Sequence, residues 1–532
     1  MTLESPVPAP QPVQRRRLAV STLIFSVATG LSRILGLVRE VVASYYFGAS
    51  GKINAFTVAW AFPNLIRALV ADAALSSAFV PVFSELIEKG ERKRAWRVAS
   101  SLFWLTLLGL TGLTALFFVV APWIVGIFHP VDRSLTVGLS RVLFPIVALL
   151  GVSGIVVGIL NTYDHFSVPA LSPVFWNIAI VAGLVLGVPH ASSESAKLYI
   201  YAASILVATV IQVLLPMPWL RGLDRGEERL RVVLDWRDPM VRRTFKLMLP
   251  VTLGLGLINV NALIDQLFAS RFVDANLAPT AIQKAFLIYM LPQGMFSVAI
   301  ATVLFPSLSR LAARGDVDGF RETVGRGLRQ IAFLLIPAAA LSAALAEPIV
   351  RILYQRGAWH PDQTPYTANV LAAFSAGLVF NGSMLLLNRA FFSLQSNWVP
   401  TAVALANLFL NAVLDYALYP VGAWGIALAT AIVNVAGTAT LLVLLRRRLG
   451  HLEERRTAGA VGKIVVASAL LAGVAYGVWE PLDAALGRSF GAQVVSLGLA
   501  LVVSGAVYLG ACRVLRVREY GALVGLVRRG LA

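Results

Sequence analysis

The sequence predicts an all-α integral membrane protein of fourteen transmembrane helices. They form two six-helix lobes related by a parallel repeat, plus two extra C-terminal helices, with both termini inside. Three observations carry this. Of 532 residues, 58% are apolar and only 14% charged, with a mean hydropathy of +0.77. Apolar runs of about 20 residues recur, each long enough to cross the hydrocarbon core, and a helix satisfies its own backbone hydrogen bonds there. The basic residues gather between alternate runs, on one side of the membrane.

In chain order the expected spans are 20–47, 54–86, 98–127, 135–162, 169–188, 196–219, 247–272, 279–309, 327–353, 366–394, 399–418, 422–445, 459–478 and 492–512. Residues 1–19 read as a disordered basic tail, Pro-rich and closing on Arg15-Arg16-Arg17. The run behind it resembles a signal-peptide core. It continues past Arg33 and Arg39 with no small-residue cleavage site, which predicts a retained first helix. Residues 20–219 make the first lobe, 247–445 the second, and 446–532 the last two helices with a basic C-terminal tail. The linker 220–246 sets Leu230, Val233, Leu234 and Trp236 among arginines. It reads as a cytoplasmic amphipathic helix at the membrane interface.

With the N-terminus inside, 32 of the 45 Lys and Arg residues fall in inner segments and 7 in outer loops. That imbalance predicts N-in, C-in. The net charge of +18 belongs to this sidedness and does not mark a nucleic-acid surface. The single cysteine, Cys512, excludes an intramolecular disulfide and a cysteine-based metal site. The five histidines lie at or near loops, without metal-ligand spacing.

The first twelve spans repeat. Pro63 with Phe79-Val80-Pro81 in span 2 matches Pro292 with Leu304-Phe305-Pro306 in span 8. Leu160-Asn161, Pro169 and Asn177 match Leu387-Asn388, Pro400 and Asn407. An even number of helices separates the halves, so both have the same orientation and the repeat axis follows the membrane normal.

Charges inside hydrocarbon cost roughly 2.5–3.5 kcal/mol on insertion scales, so each needs a partner, a polar cavity or a function. Span 1 carries Arg33, Arg39 and Glu40, and span 2 carries Arg67 and Asp72. Arg33 and Arg39 point about 120° apart and flank one broad face. Arg39 and Glu40 are adjacent and diverge. Three arginines against two acids leave a cation over. This predicts a cationic cavity between the lobes that receives an anionic headgroup, because the guanidinium fork binds diphosphate or carboxylate oxygens in pairs. A bland reading stands beside it: Arg39 paired with Asp72, holding spans 1 and 2 together. Arg141 in span 4 reads as snorkelling to the outer interface.

The second lobe carries a different polar set. Span 7 has Asn259, Asn261, Asp265 and Gln266. Span 11 has Asn407, Asn411 and Asp415, and span 12 has Thr430 and Asn434. Asn411 with Asp415 and Thr430 with Asn434 are i,i+4 pairs on one helix face. Two carboxylates with amide and hydroxyl oxygens suit a small hard cation, Na⁺ or H⁺. The alternative is an interhelical hydrogen-bond network with one acid protonated. No nucleotide-binding loop, HExxH or EF-hand sequence is present. Active transport must then draw on an ion gradient, the membrane potential or the substrate gradient.

At this point several runs resemble the MurJ/MviN lipid II flippases of the multidrug/oligosaccharidyl-lipid/polysaccharide exporter superfamily. They are Ser32-Arg33-Ile34-Leu35-Gly36-Leu37-Val38-Arg39-Glu40, Phe62-Pro63-Asn64-Leu65-Ile66-Arg67 with Ala71-Asp72, and Gly158-Ile159-Leu160-Asn161-Thr162. Phe305-Pro306-Ser307-Leu308-Ser309 and Gln355-Arg356-Gly357 add to them. The resemblance implies alternating access by the two lobes in a bacterial inner membrane. Its implied substrate is lipid II, the undecaprenyl-diphosphate-linked peptidoglycan precursor, flipped from the inner to the outer leaflet. It implies that spans 13 and 14 form a groove for the lipid tail, and that Arg33, Arg39, Arg67 and Glu40 are cavity residues. Asp265, Asn411, Asp415 and Thr430 resemble a sodium site of some members, with Na⁺ as coupling ion and no other cofactor.

The sequence departs from the family at three places. Asn54 stands where an aspartate is common, and Leu287 and Met290 stand where a cavity arginine and a glutamate are common. Lys284, one turn before Leu287, is the candidate replacement cation. These departures keep open a flippase for another polyprenyl-linked oligosaccharide. A cation-coupled drug exporter is disfavoured, because an arginine-lined cavity repels cations. An inactive scaffold is the reading without transport.

Overall fold

The computed structural model describes residues 12–70, 74–163, 165, 167–221, 223 and 229–521, and every regular element among them is helical. The first part of the chain holds α1 (Pro12–Phe47), α2 (Ile53–Val70), α3 (Ala74–Glu88), α4 (Arg92–Phe128) and α5 (Arg133–Leu143). It continues with α6 (Ile146–Thr162), α7 (Ser167–Gly187) and α8 (Glu194–Leu214). The second part holds α9 (Pro239–Phe268), α10 (Ala278–Pro292), α11 (Val298–Arg314), α12 (Val317–Ala344) and α13 (Ala346–Tyr354). Next come α14 (Gln363–Ser375), α15 (Leu378–Ser393), α16 (Trp398–Leu418) and α17 (Ala423–Leu449). The last two are α18 (Glu454–Leu486) and α19 (Phe490–Val514).

Among the described residues, ten segments are long and apolar enough to cross a membrane, or eleven when the bent pair α14–α15 counts as one span. They coincide with the expected spans 3–6 and 8–14. The other expected spans fall on α1, on α2 with α3, and on α9. Large apolar side chains face outward along these helices, such as Phe409 of α16 at 75% exposure and Val502 of α19 at 70%. Lipid tails are the solvent such a surface suits.

Two expectations need correction. Residues 12–19, expected in a disordered tail, open α1: Pro12 fits the first helical position and the Gln-Arg-Leu run behind it favours helix. Residues 1–11 lie outside the described residues. The linker does not form the expected amphipathic helix over 229–235, which carries no regular secondary structure. Val232-Val233 favours extended backbone, and Asp238 precedes Pro239, which disfavours helix before it. Asp238 then caps α9, accepting from the Met240 N–H at 2.7 Å. Residues 222 and 224–228, and 522–532 of the C-terminal tail, lie outside the described residues.

Contacts divide the chain into two compact units. One holds Met1–Tyr46, Ala59–Gly126 and Asp132–Asn259, the other Phe47–Val58, Ile127–Val131 and Val260–Ala532. The first unit packs around Phe79, Phe83 and Trp96, with the Phe79 and Phe83 rings stacked at 5.1 Å. The second packs around Tyr289, Tyr354, Phe374 and Phe391. The same neighbours recur in each. α6 packs on α3, and α5, α6 and α7 pack on α8. Correspondingly, α15 packs on α11, and α14, α15 and α16 pack on α17. A helix break recurs as well, between α5 and α6 at Phe144-Pro145, and between α14 and α15 with a 42° bend.

Two buried arginines clamp α18 and α19 to the second unit. Arg329 of α12, 5% exposed, meets Glu453 at 2.9 Å and Glu519 at 3.2 Å. Arg351 of α13, equally buried, meets Glu347 at 2.6 Å and Asp483 at 2.7 Å.

Candidate functional site

The first unit builds its site on α1, α2 and α7. Arg39 bonds Glu40 Oε1 through Nη2 at 2.6 Å and through Nε at 3.2 Å. Adjacent Cβ atoms diverge on a helix, yet the long arginine side chain curls back to reach its neighbour, so the expected divergence of this pair does not hold. A second bond runs from Arg39 Nη1 to Asn177 Oδ1 at 3.2 Å. The guanidinium lies over the Trp176 ring, 4.8 Å from its centroid. Asn177 itself donates to the carbonyls of Pro173 at 2.9 Å and Ser32 at 3.4 Å, tying α7 to α1. Trp176 is held by its own N–H bond to Thr209 at 3.0 Å. Arg39 is thus fixed on three sides, with a flat apolar ring beneath it.

Arg33, one and a half turns earlier on α1, is exposed. Arg67 closes α2 and bonds Asn64 Oδ1 at 2.9 and 3.3 Å. Asp72, the other acid expected here, lies outside the described residues. Arg141 is half-buried and donates through Nε and Nη2 to the Phe118 carbonyl.

The second unit gathers carboxylates. The Asn411 amide nitrogen donates to Asp265 Oδ1 at 2.7 Å and to Asp415 Oδ2 at 2.9 Å. Asn411 and Asp415 are fully buried and Asp265 is 8% exposed. Thr430 lies beside Asp265. Asn411 Oδ1, Asp415 Oδ1 and Thr430 Oγ1 are buried without a hydrogen-bond partner among the described residues. Two buried carboxylates bridged by one amide call for a compensating cation or a proton held on one of them. The donor set is all oxygen, which fits a hard cation such as Na⁺.

Other residues expected in this set are elsewhere. Asn434 donates to the Tyr289 hydroxyl at 3.3 Å, and Asn381 does so at 2.9 Å. Asn407 turns to the Met384 sulfur. Lys284 is 5% exposed, with its ammonium 5.4 Å from the Tyr354 ring centroid. Leu287 is half-buried and Met290 is 37% exposed on the same helix. Three residues fall about 60° short of a full turn, enough to swing Lys284 into the interior and away from the face of Met290. Asn54 is buried. It donates to Ala49 O at 2.9 Å and Asn276 O at 2.6 Å, and accepts from the Thr280 N–H at 2.9 Å. An ionised aspartate could not make the two donations.

Trp176 was not singled out in the sequence, and Asn177 stood out only as a repeat marker. Nothing local ties α7 to an arginine 138 residues earlier.

Comparison with known proteins gives one consistent result. The family description "Lipid II flippase MurJ" matches residues 43–491. A probable lipid II flippase MurJ of Rhizobium tropici is 31% identical over 521 residues, covering 95% of each chain. The lipid II flippase MurJ of Burkholderia cenocepacia is 29% identical over 79% of this chain and 82% of its own. A solved lipid II flippase MurJ in an inward closed conformation superposes with a TM-score of 0.74 at 24% identity, over 91% of this chain and 98% of its own. An inward-facing multidrug resistance MATE family transporter of the MOP superfamily gives 0.63 at 16% identity, over 82% of this chain and 98% of its own. At these identities the two structures speak for the fold alone.

Proposed function

The chain belongs to the lipid II flippase MurJ family, and on that premise we propose that it carries lipid II from the inner to the outer leaflet of a bacterial inner membrane. It is a transporter and not an enzyme. The observation that carries the reading is the guanidinium set of α1 and α2: Arg33, Arg39 and Arg67, with Glu40 beside the second. Arg39 is oriented by Asn177 and Trp176, so little side-chain entropy is left to lose when a diphosphate is bound. Glu40 holds the cation in the absence of substrate, and a diphosphate with its greater charge competes for the same donors.

We further read the molecule as fourteen spans in two six-helix lobes, moving by alternating access. The recurring helix pairs and the recurring broken span support the two-lobe repeat. The one-sided distribution of Lys and Arg supports N-in, C-in. Asp265, Asn411, Asp415 and Thr430 are the residues that would hold Na⁺, and the bound ion would supply the charge that lets both carboxylates stay ionised in apolar surroundings. Lys284 is a packed residue in this reading, so the substrate cations belong to the first lobe.

The test is rescue of a bacterium depleted of its own lipid II flippase. Wild type is expected to restore growth and outer-leaflet lipid II. Failure of a membrane-inserted wild type, with a change in another surface glycan, would move the substrate to a different polyprenyl-linked oligosaccharide.

A further inference from the structure

The segment between α8 and α9 carries an exposed apolar surface outside the Arg39 and Asp265 clusters. Residues 229–235 carry no regular secondary structure, and their apolar side chains divide by exposure. Leu230 and Val233 turn inward and are half-buried, Leu230 against the first unit's Phe83 cluster. Val232, Leu234 and Trp236 turn outward and are 74%, 51% and 58% exposed. The strip is pinned to the start of α4. The Arg231 N–H bonds Ser100 Oγ at 3.1 Å, and Asp235 pairs with Arg97 at 3.2 Å. Arg97 and Ser100 stand where the apolar run of α4 begins, which fixes the strip at the depth where a span enters hydrocarbon.

Cations surround the outward ring. Arg242 lies 4.9 Å from the Trp236 ring centroid and Arg237 lies 5.8 Å from it, both exposed. A cavity of about 530 Å³ at the same end of the unit is lined by Tyr163, His165, Trp219 and Arg221. Aromatic rings at headgroup depth with arginines beside them match the two parts of an anionic lipid, an acyl boundary and a phosphate.

We propose that this strip is a docking surface for anionic phospholipid. Val232, Leu234 and Trp236 enter the acyl boundary, and Arg237 and Arg242 meet lipid phosphates. Only the assignment to the inner leaflet rests on the orientation proposed above; the contact with lipid does not.

The lone cysteine makes the test clean. Leu234→Cys in a Cys512→Ser full-length background takes a nitroxide label, and its accessibility to oxygen and to a water-soluble nickel chelate reports depth. In phosphatidylglycerol vesicles the label is expected to be oxygen-dominated. In phosphatidylcholine vesicles, or with Arg237→Gln and Arg242→Gln, nickel accessibility is expected to rise several-fold. Inorganic phosphate added to phosphatidylcholine vesicles is expected to change nothing. A label equally open to nickel in both lipids, or equally immersed in both, overturns the proposal. So does a phosphatidylglycerol effect that survives both arginine substitutions, or a shift produced by inorganic phosphate alone. Rescue of growth by the labelled variant checks that it folds. Loss of lipid contact with rescue intact separates failure here from failure of the flippase reading.

Discussion

The Arg39 cluster of the first unit and the Asp265 cluster of the second are opposite in kind. Around Arg39 one guanidinium meets one glutamate, an amide and an aromatic face, with Arg33 earlier on the same helix. Around Asp265 two carboxylates share one amide, and Asn411 Oδ1, Asp415 Oδ1 and Thr430 Oγ1 have no hydrogen-bond partner among the described residues. A repeat fixes where helices cross but not the sign of the charge they carry. The side chains of the first cluster suit an anion and those of the second suit a cation.

The largest expected effect breaks the first cluster. Arg39→Ala should abolish rescue of a flippase-depleted strain at normal membrane abundance, and Arg39→Lys should rescue poorly because the fork that spans Glu40 and Asn177 is lost. Full growth with Arg39→Ala would remove the anion role from this unit.

Arg329 sharpens the contrast, since it is a buried arginine with two carboxylates and no surplus. Arg329→Ala removes the Arg329 ion pair of Glu519 and leaves Glu453 with Arg456 alone, and should cost about 3–5 kcal/mol. Thermal unfolding should show a clear drop in Tm, while whatever protein remains folded still transports.

A smaller effect tests the second cluster. Sodium at a hundredfold excess over its Kd should stabilise the protein by about 2.7 kcal/mol relative to potassium. Asp415→Asn should erase that difference. A sodium-dependent rise in Tm that persists in Asp265→Asn and Asp415→Asn alike would place the ion elsewhere.

The pH dependence should be modest and one-sided. Burial pushes the Glu453 carboxyl up, but bonds and charge from Arg329 and Arg456 outweigh this and hold it below its ordinary value of 4.5. A depressed folded-state pKa means stability that is present above that ordinary value and lost as pH falls through the lower one. Tm measured down through this range should fall less in Glu453→Gln than in wild type.

The least effect is expected from Lys284→Met, a change of similar volume in a packed place. Rescue should persist. Loss of rescue with Tm unchanged would return a substrate cation to the second unit and blur the contrast between the two.

Much of the fold was legible because hydrocarbon imposes a local rule: about 20 apolar residues per span, with cations kept to one side. That rule needs no knowledge of neighbours. The linker escaped it, since the apolar residues from Leu230 to Trp236 suit a helix face, whereas proline with β-branched residues disfavours the helix. Lys284 escaped for the converse reason. Its helical offset was readable, but which side of α10 faces the interior depends on α13 and Tyr354.

The sequence by itself determined the membrane class, the places where charge enters the spans and the candidate residues, Arg39 among them, with Asp265, Asn411, Asp415 and Thr430 as a polar set apart. Only the tertiary structure decided their partners. Glu40 rather than a remote acid takes Arg39, Asn177 and Trp176 fix its plane, Asn434 leaves the carboxylates for Tyr289, and Asn54 joins Asn276 and Thr280. The physical reason is range. Hydropathy and charge cost act on each residue where it stands, whereas a hydrogen bond or ring contact forms only within a few ångströms, and packing alone brings residues from distant helices that close.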